Sequence, residues 1–146
     1  MAVRWRTRTA GLLMVAGALL GLTGCGSSSP LPVFDQEQTA NDIFLSTSDN
    51  HDHELEIESG SSRFLGTDSR GIDYYTYLTR DEAGEGVCLV VVADGAEDWT
   101  SGCGSLPVTV GVPEAGVDSA TLGNFRDVEQ SGEMVGDYVA VEGPEY

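Results

Sequence analysis

Short runs of apolar, β-branched and aromatic residues, spaced about ten residues apart and separated by glycine-containing turns, constrain the fold of this chain most strongly. The most apolar run, residues 87–93, predicts a central strand that is covered on both faces. Residues 72–79 precede it across a loop at 81–86, and residues 99–104 follow it across a turn at 94–98. This spacing is typical of consecutive antiparallel strands.

Other segments complete the predicted secondary structure. Strands are also predicted at residues 54–58, 63–65, 107–112, 120–122 and 138–141, with a loop over 129–136. Asp35 and Gln38 form a capping-box pattern that predicts one short helix near residues 36–45. The predicted fold class is therefore α+β and β-dominated, a small antiparallel sheet with one N-terminal helix packed on a face. An all-β sandwich or barrel is the alternative.

The N-terminus has the pattern of a targeting signal. Arg4, Arg6 and Arg8 precede residues 10–22, which are nearly all apolar or glycine, as in a secretory signal peptide. A helix of that length spans only about 20 Å, which is too short for the roughly 30 Å hydrocarbon core of a bilayer. The stretch ends in Leu22-Thr23-Gly24-Cys25, which resembles the lipobox of bacterial lipoproteins.

The lipobox resemblance implies that Cys25 becomes the first residue of the mature chain and carries a lipid through a thioether. Residues 1–24 would then be the signal peptide, residues 25–33 the lipidated cysteine and a flexible tether, and residues 34–146 one acidic domain. The implied location is the outer leaflet of the plasma membrane. An ordinary secretory peptide with an unmodified thiol at Cys25 is the alternative.

Two cysteines remain after Cys25, and an exported chain meets an oxidising compartment. Cys88 and Cys103 permit a single pairing, and the strand predicted at 99–104 runs back beside the strand predicted at 87–93. We therefore predict a disulfide between neighbouring strands, with two unpaired thiols as the alternative.

The body of the chain has a second, looser resemblance. The run Val-Cys-Leu-Val-Val at residues 87–91, followed by Trp99 and Cys103, is similar to small uncharacterised lipoproteins of actinobacteria. This resemblance implies the same anchored location and no particular activity. We expect a monomer that reaches the membrane through the lipid on Cys25 and meets an unidentified envelope partner.

The acidic composition excludes one class of partner. The chain has seven basic residues, 24 acidic residues and a net charge of −17. Residues 25–146 keep four arginines, no lysine and all 24 carboxylates, which gives a net charge of −20 for that portion. Because nucleic-acid binding depends on cations that neutralise phosphates, we expect no nucleic-acid partner.

His51, Asp52, His53 and Glu54 form a cluster of metal-ligating residue types. The two histidines could supply two zinc ligands, but a structural zinc site usually needs four. A solvated polar loop is the simpler interpretation of this cluster. For the carboxylates of Asp52, Glu54, Glu56 and Glu58, it is a solvent-facing acidic edge that resists strand-to-strand aggregation. We expect no metal and no other cofactor, and we keep a cation-binding lipoprotein using residues 51–58 as an alternative function.

Three aromatic residues are candidates for a binding face. Tyr75 and Tyr77 share a face of the strand predicted at 72–79, and Trp99 begins a neighbouring strand. Exposed, these rings could bind a sugar or an apolar partner; burial in the sheet is the alternative. The sequence contains no nucleophile elbow, zinc-protease motif or phosphate-binding loop. We therefore predict a non-enzymatic envelope lipoprotein with a binding or accessory role, with a hydrolase-like enzyme as a further alternative.

Overall fold

The computed structural model describes residues 29–43, 58, 60–81, 84–93 and 99–144. In this part of the chain, eight strands form two four-stranded antiparallel sheets. Hydrophobic side chains from both sheets pack into one core, so the two sheets form a sandwich. The β-dominated, antiparallel character of the prediction is confirmed, but the described strands form two sheets rather than the single predicted sheet, as in the all-β alternative.

The first sheet is a meander of four consecutive strands. In spatial order these are β1 (Arg63–Thr67), β2 (Asp73–Asp81), β3 (Gly84–Val92) and β4 (Trp99–Gly104). The apolar strand β3 lies between β2 and β4, as its composition predicts, and its last six residues are buried. β2 and β3 pair in register along their whole length, so their side chains alternate regularly between the two faces.

The second sheet has a different strand order. It contains β5 (Val108–Val112), β6 (Val117–Leu122), β7 (Glu133–Val135) and β8 (Val139–Glu142), arranged as β5-β6-β8-β7. β7 lies within residues 129–136, so the prediction of a loop over this whole range is wrong. Gly132 and Gly136, with φ of +92° and +58°, flank β7, which is too short to show a period-two pattern.

The core lies between the inner faces of the two sheets. Tyr74 of β2 and Leu89 of β3 are fully buried there, opposite Val117 of β6 and Val139 of β8. Leu31 and Val33 also belong to this core, so the folded part begins before residue 34, the predicted start of the domain. Burial of each large aliphatic side chain stabilises the fold by about 1.5–3 kcal/mol.

The edges of the two sheets meet at two seams, where β4 contacts β5 and β1 contacts β7. A Cβ atom at Gly102 of β4 would lie 2.8 Å from Val110 Cγ2, and one at Gly66 of β1 would lie 2.8 Å from Val135 Cγ1. Glycine at both positions therefore allows the strands to approach closely. The seams cover the outer strands of the described sheets, which would otherwise be open to pairing with another chain.

The predicted N-terminal helix near residues 36–45 is not present in the described residues. Two short 3-10 turns, Pro32–Asp35 and Ala40–Asp42, lie there instead. Asp35 ends the first turn, and the capping box is formed by Thr39 and Asp42. The Asp42 carboxylate also accepts a hydrogen bond from the Phe64 N–H of β1 at 2.9 Å, so this contact with the sheet replaces continuation of a helix.

The predicted disulfide is confirmed. Cys88 of β3 and Cys103 of β4 lie directly opposite each other, and their sulfur atoms are bonded. The bond joins neighbouring strands of the first sheet on the face that points away from the core. Of the strand predicted at residues 54–58, only Glu58 lies within the described residues.

Candidate functional site

A cleft forms where the first sheet extends past the second. β2 and β3 are nine residues long, whereas the strands of the second sheet have three to six residues. Leu78 pairs with Val87, and Arg80 pairs with Glu85, two residues further towards the hairpin turn. Because side chains alternate, all four belong to the inner face of the sheet. Beyond the second sheet, this face becomes the floor of the cleft.

The walls of the cleft come from three other segments. Ser29 and Pro30 lie on one side, just before the buried Leu31, and Gly104 to Leu106 line another side. Glu58 completes the lining and is held against β2 because its backbone N–H donates to the Leu78 carbonyl at 2.9 Å. The cleft has a volume of about 490 Å³, which lies within the range of small-ligand sites.

The charged residues of the cleft floor are exposed. Arg80 Nη2 forms an ion pair with Glu85 Oε1, and the two side chains are 64% and 72% exposed. Water screens such a pair, so it contributes little to stability and can be exchanged for another charged partner. The cleft therefore combines an aliphatic floor with a weakly held pair of opposite charges.

A smaller depression of about 190 Å³ adjoins the cleft at Glu58 and Leu78. Arg63 lines it, although its side chain is mainly buried. The Arg63 guanidinium donates to the carbonyls of Gly60, Ser62 and Gln36, each at 2.7 Å, while its buried Nε has no partner. Because backbone carbonyls hold it, Arg63 ties the N-terminal segment to β1.

A second polar cluster, the latch, is centred on Asp68 in the turn between β1 and β2. The buried Asp68 carboxylate accepts hydrogen bonds from Arg70, from the Ile72 N–H and from the Tyr74 hydroxyl. Burial alone would raise the pKa of Asp68, but the hydrogen bonds from Ile72 and Arg70 outweigh it and lower this pKa below its ordinary value.

The latch connects the two sheets. The Arg70 guanidinium donates to the Gly116 carbonyl at the start of the second sheet's β6. Ser69 donates from its N–H and its hydroxyl to the carboxylate of Glu133 in β7, at 2.6 and 2.7 Å. A depression of about 370 Å³ next to Arg70 and Glu133 is lined by groups that already bond to one another. The arrangement therefore holds the sheets together.

The predicted aromatic face is largely buried. Tyr77 and Trp99 are 1% and 7% exposed, and Tyr75 packs beside them on the outer face of the first sheet. Tyr75 also stacks in a tilted geometry with Phe64, with ring centroids 5.1 Å apart. Burial raises the pKa of Tyr77 and of Tyr75 above the ordinary tyrosine value. A binding role for these three rings stays a prediction.

The remaining predicted sites are not brought together by the described structure. His51, Asp52, His53 and Glu54 lie outside the described residues, as does the lipid-attachment candidate Cys25. Among residues 29–43, 58, 60–81, 84–93 and 99–144, no group of three metal-ligating side chains is clustered. In the same ranges no helix is long and apolar enough to cross a bilayer.

Sequence reasoning missed the cleft because its lining residues come from segments far apart in the chain, namely the predicted tether, the ends of several predicted strands and the loop predicted at 81–86. A usable signal was present in Arg80 and Glu85, which bracket a short hairpin turn with opposite charges. The length by which β2 and β3 extend past the second sheet depends on tertiary structure and has no local sequence signal. No family model, curated protein or solved structure matches this chain.

Proposed function

We propose that this chain is a lipid-anchored envelope lipoprotein that displays a small acidic, non-enzymatic domain outside the plasma membrane in a binding or accessory role. The proposal starts from Leu22-Thr23-Gly24-Cys25, the lipobox-like end of the signal sequence. A lipid on Cys25 would give a durable anchor when it carries more than one acyl chain.

The observation that carries the proposal is the position of Leu31. This side chain is completely buried in the core, and it lies only six residues after Cys25. Six residues reach at most about 21 Å when fully extended. A lipid on Cys25 would therefore hold the folded domain close to the bilayer, with the cleft beside the tether because Ser29 and Pro30 line it.

The disulfide supports export. Disulfides form and persist in oxidising compartments and are rare in the cytosol. The bond between Cys88 and Cys103 is therefore compatible with the location that the signal sequence implies. The acidic surface supports solubility outside the cell and repels anionic lipid headgroups, so the lipid rather than the protein surface would hold the domain at the membrane.

Membrane fractionation of cells that express the full chain tests the proposal. We expect the wild-type protein in the membrane fraction, resistant to high salt and released by detergent. Cys25→Ala should abolish incorporation of labelled fatty acid into the protein, because no other residue of the chain lies at a lipobox-like site. The matched control is the double variant Cys88→Ala/Cys103→Ala, which removes the two disulfide-bonded cysteines and should stay membrane-bound. A wild-type protein that takes up no labelled fatty acid, or a Cys25→Ala protein that takes up as much as wild type, would overturn the proposal.

A further inference from the structure

We propose that the cleft between the tether and the β2–β3 hairpin binds a basic, aliphatic segment of a partner polypeptide, with lysine or arginine side chains lying across its floor. This inference deepens the binding role proposed above by naming the chemistry of the partner. Peptide binding depends on the folded domain and not on the lipid. The binding inference and the proposal of a lipid anchor can therefore fail independently of each other.

The floor of the cleft suits the stem of a long basic side chain. Leu78 and Val87 lie side by side on it, and Leu106 and Pro30 contribute further apolar surface from the walls. Lysine and arginine lay their methylene groups along such a surface while the charged end stays in water. A purely aliphatic ligand would gain the same contact but would leave the charged residues of the cleft without a role.

The charges of the cleft select a cation. Glu58 and Glu85 both line it, and the chain as a whole carries a net charge of −17. Arg80, the basic residue among the lining residues, is already paired with Glu85. The lining therefore has one carboxylate more than it has guanidinium groups, and this excess together with the net negative charge of the chain attracts a cation and repels an anion.

The other arginines of the described residues also have partners. Arg70 pairs with Asp68, Arg126 pairs with Asp137, and Arg63 donates to three backbone carbonyls. Of these three, Arg63 and Arg70 are held in largely buried contacts, so they are not open to an acidic partner. The exposed Arg80–Glu85 pair, in contrast, can open so that an incoming ammonium or guanidinium group takes the place of Arg80 at Glu85.

The outer strands of the sheets favour recognition by side chains over strand addition. β4 is covered by β5, and the Phe64 N–H of β1 is capped by Asp42. These contacts obstruct the approach of a partner strand to the two outer strands of the first sheet. The cleft is open and carries the required charges, so it is the better place for a partner segment.

Fluorescence anisotropy with a labelled peptide tests the inference. The probe is acetyl-Lys-Leu-Lys-Val-Lys-Leu-amide, and its counterpart has glutamate in place of each lysine. The full chain is used as cells process it, extracted in a non-ionic detergent. We expect the basic peptide to bind and the acidic one not to bind, with affinity falling as salt rises.

Variants with equal changes in net charge separate the cleft from the general negative field. Glu58→Gln/Glu85→Gln should weaken binding about tenfold or more, whereas Glu114→Gln/Glu129→Gln, at exposed positions outside the cleft, should change it less than about twofold. Arg80→Gln should tighten binding because it frees Glu85. Arg126→Gln, which disrupts another exposed pair, is its control.

Leu106→Ser should also weaken binding, since it removes part of the apolar wall. Equal effects of the two glutamine pairs would overturn the inference, as would failure of the basic peptide to bind or equal binding of both peptides. Circular dichroism and thermal unfolding verify that each variant is folded. The Cys25→Ala protein should bind the peptide as the wild type does. A loss of lipid attachment is thereby distinguished from a loss of peptide binding.

Discussion

Two arginine–carboxylate pairs lie near opposite ends of β2 in very different surroundings. Asp68 and Arg70 precede the strand, and the Asp68 carboxylate is completely buried and accepts five hydrogen bonds. Arg80, near the end of β2, and Glu85 of β3 are mostly exposed and lie on the floor of the cleft. The buried arginine–carboxylate pair thus helps to join the two sheets. The exposed pair is screened by water and can exchange its partners.

The largest effect that separates the two pairs is expected for Asp68→Ala. This change leaves the Arg70 guanidinium and the Tyr74 hydroxyl without their shared acceptor, so the free energy of unfolding should fall by about 3–5 kcal/mol. Glu85→Ala, the matched change in the cleft, should stay within about 0.5 kcal/mol of wild type. Denaturant unfolding measures both, and equal losses would contradict the comparison.

A second contrast uses two glycines of β4. Gly102 lies at the seam, where a Cβ would meet Val110 Cγ2 at 2.8 Å, whereas Gly104 lines the cleft and has no atom within 4 Å of that position. Gly102→Ala should therefore destabilise the protein by about 1–3 kcal/mol through overpacking. Gly104→Ala should change stability by less than about 1 kcal/mol and should weaken peptide binding by reducing the cleft. Thermal unfolding compares the two variants, and the reverse order of stability would exclude a tight seam.

The pH dependence of stability supplies a smaller but independent test of the latch. Hydrogen bonds lower the pKa of Asp68 in the folded protein, as they do for Asp42 despite burial. The unfolded chain then binds more protons than the folded chain in acid. The stabilisation from both groups is complete above the ordinary aspartate pKa of about 3.9, and it declines as the pH falls through that value towards the lower folded pKa.

Asp68→Asn isolates the contribution of the latch to the loss of stability in acid. Asparagine does not titrate, so the variant should be less stable at neutral pH and should lose less further stability between about pH 5 and pH 2. Denaturant unfolding at several pH values gives the slope of the unfolding free energy against pH for wild type and for the variant. Glu85→Gln serves as the control outside the latch. Identical acid slopes for Asp68→Asn and wild type would show that this carboxylate is not stabilised in the folded protein.

Local sequence patterns predicted the parts of this fold that depend on neighbouring residues. The apolar run in β3 and the positions of Cys88 and Cys103 were sufficient to predict neighbouring antiparallel strands joined by a disulfide. The helix near residues 36–45 was mispredicted because Asp42 bonds to β1 instead of continuing a helical turn. β7 was missed because three residues between two glycines carry almost no periodic signal.

The candidate site was harder to predict than the fold. The cleft depends on the unequal lengths of the two sheets and on the return of Ser29 and Pro30 to the end of the β2–β3 hairpin. Neither property is encoded in a short segment. The latch depends likewise on Ser69 and Glu133, which are 64 residues apart in the chain.

Intact-mass spectrometry of the protein isolated from the membranes of the cells that produce it tests the proposed lipid anchoring of this acidic domain most directly. We expect the mass of residues 25–146 plus a diacylglyceryl group on Cys25, with the bond between Cys88 and Cys103 intact. A product that retains residues 1–24, or one with a free thiol at Cys25, would contradict the account.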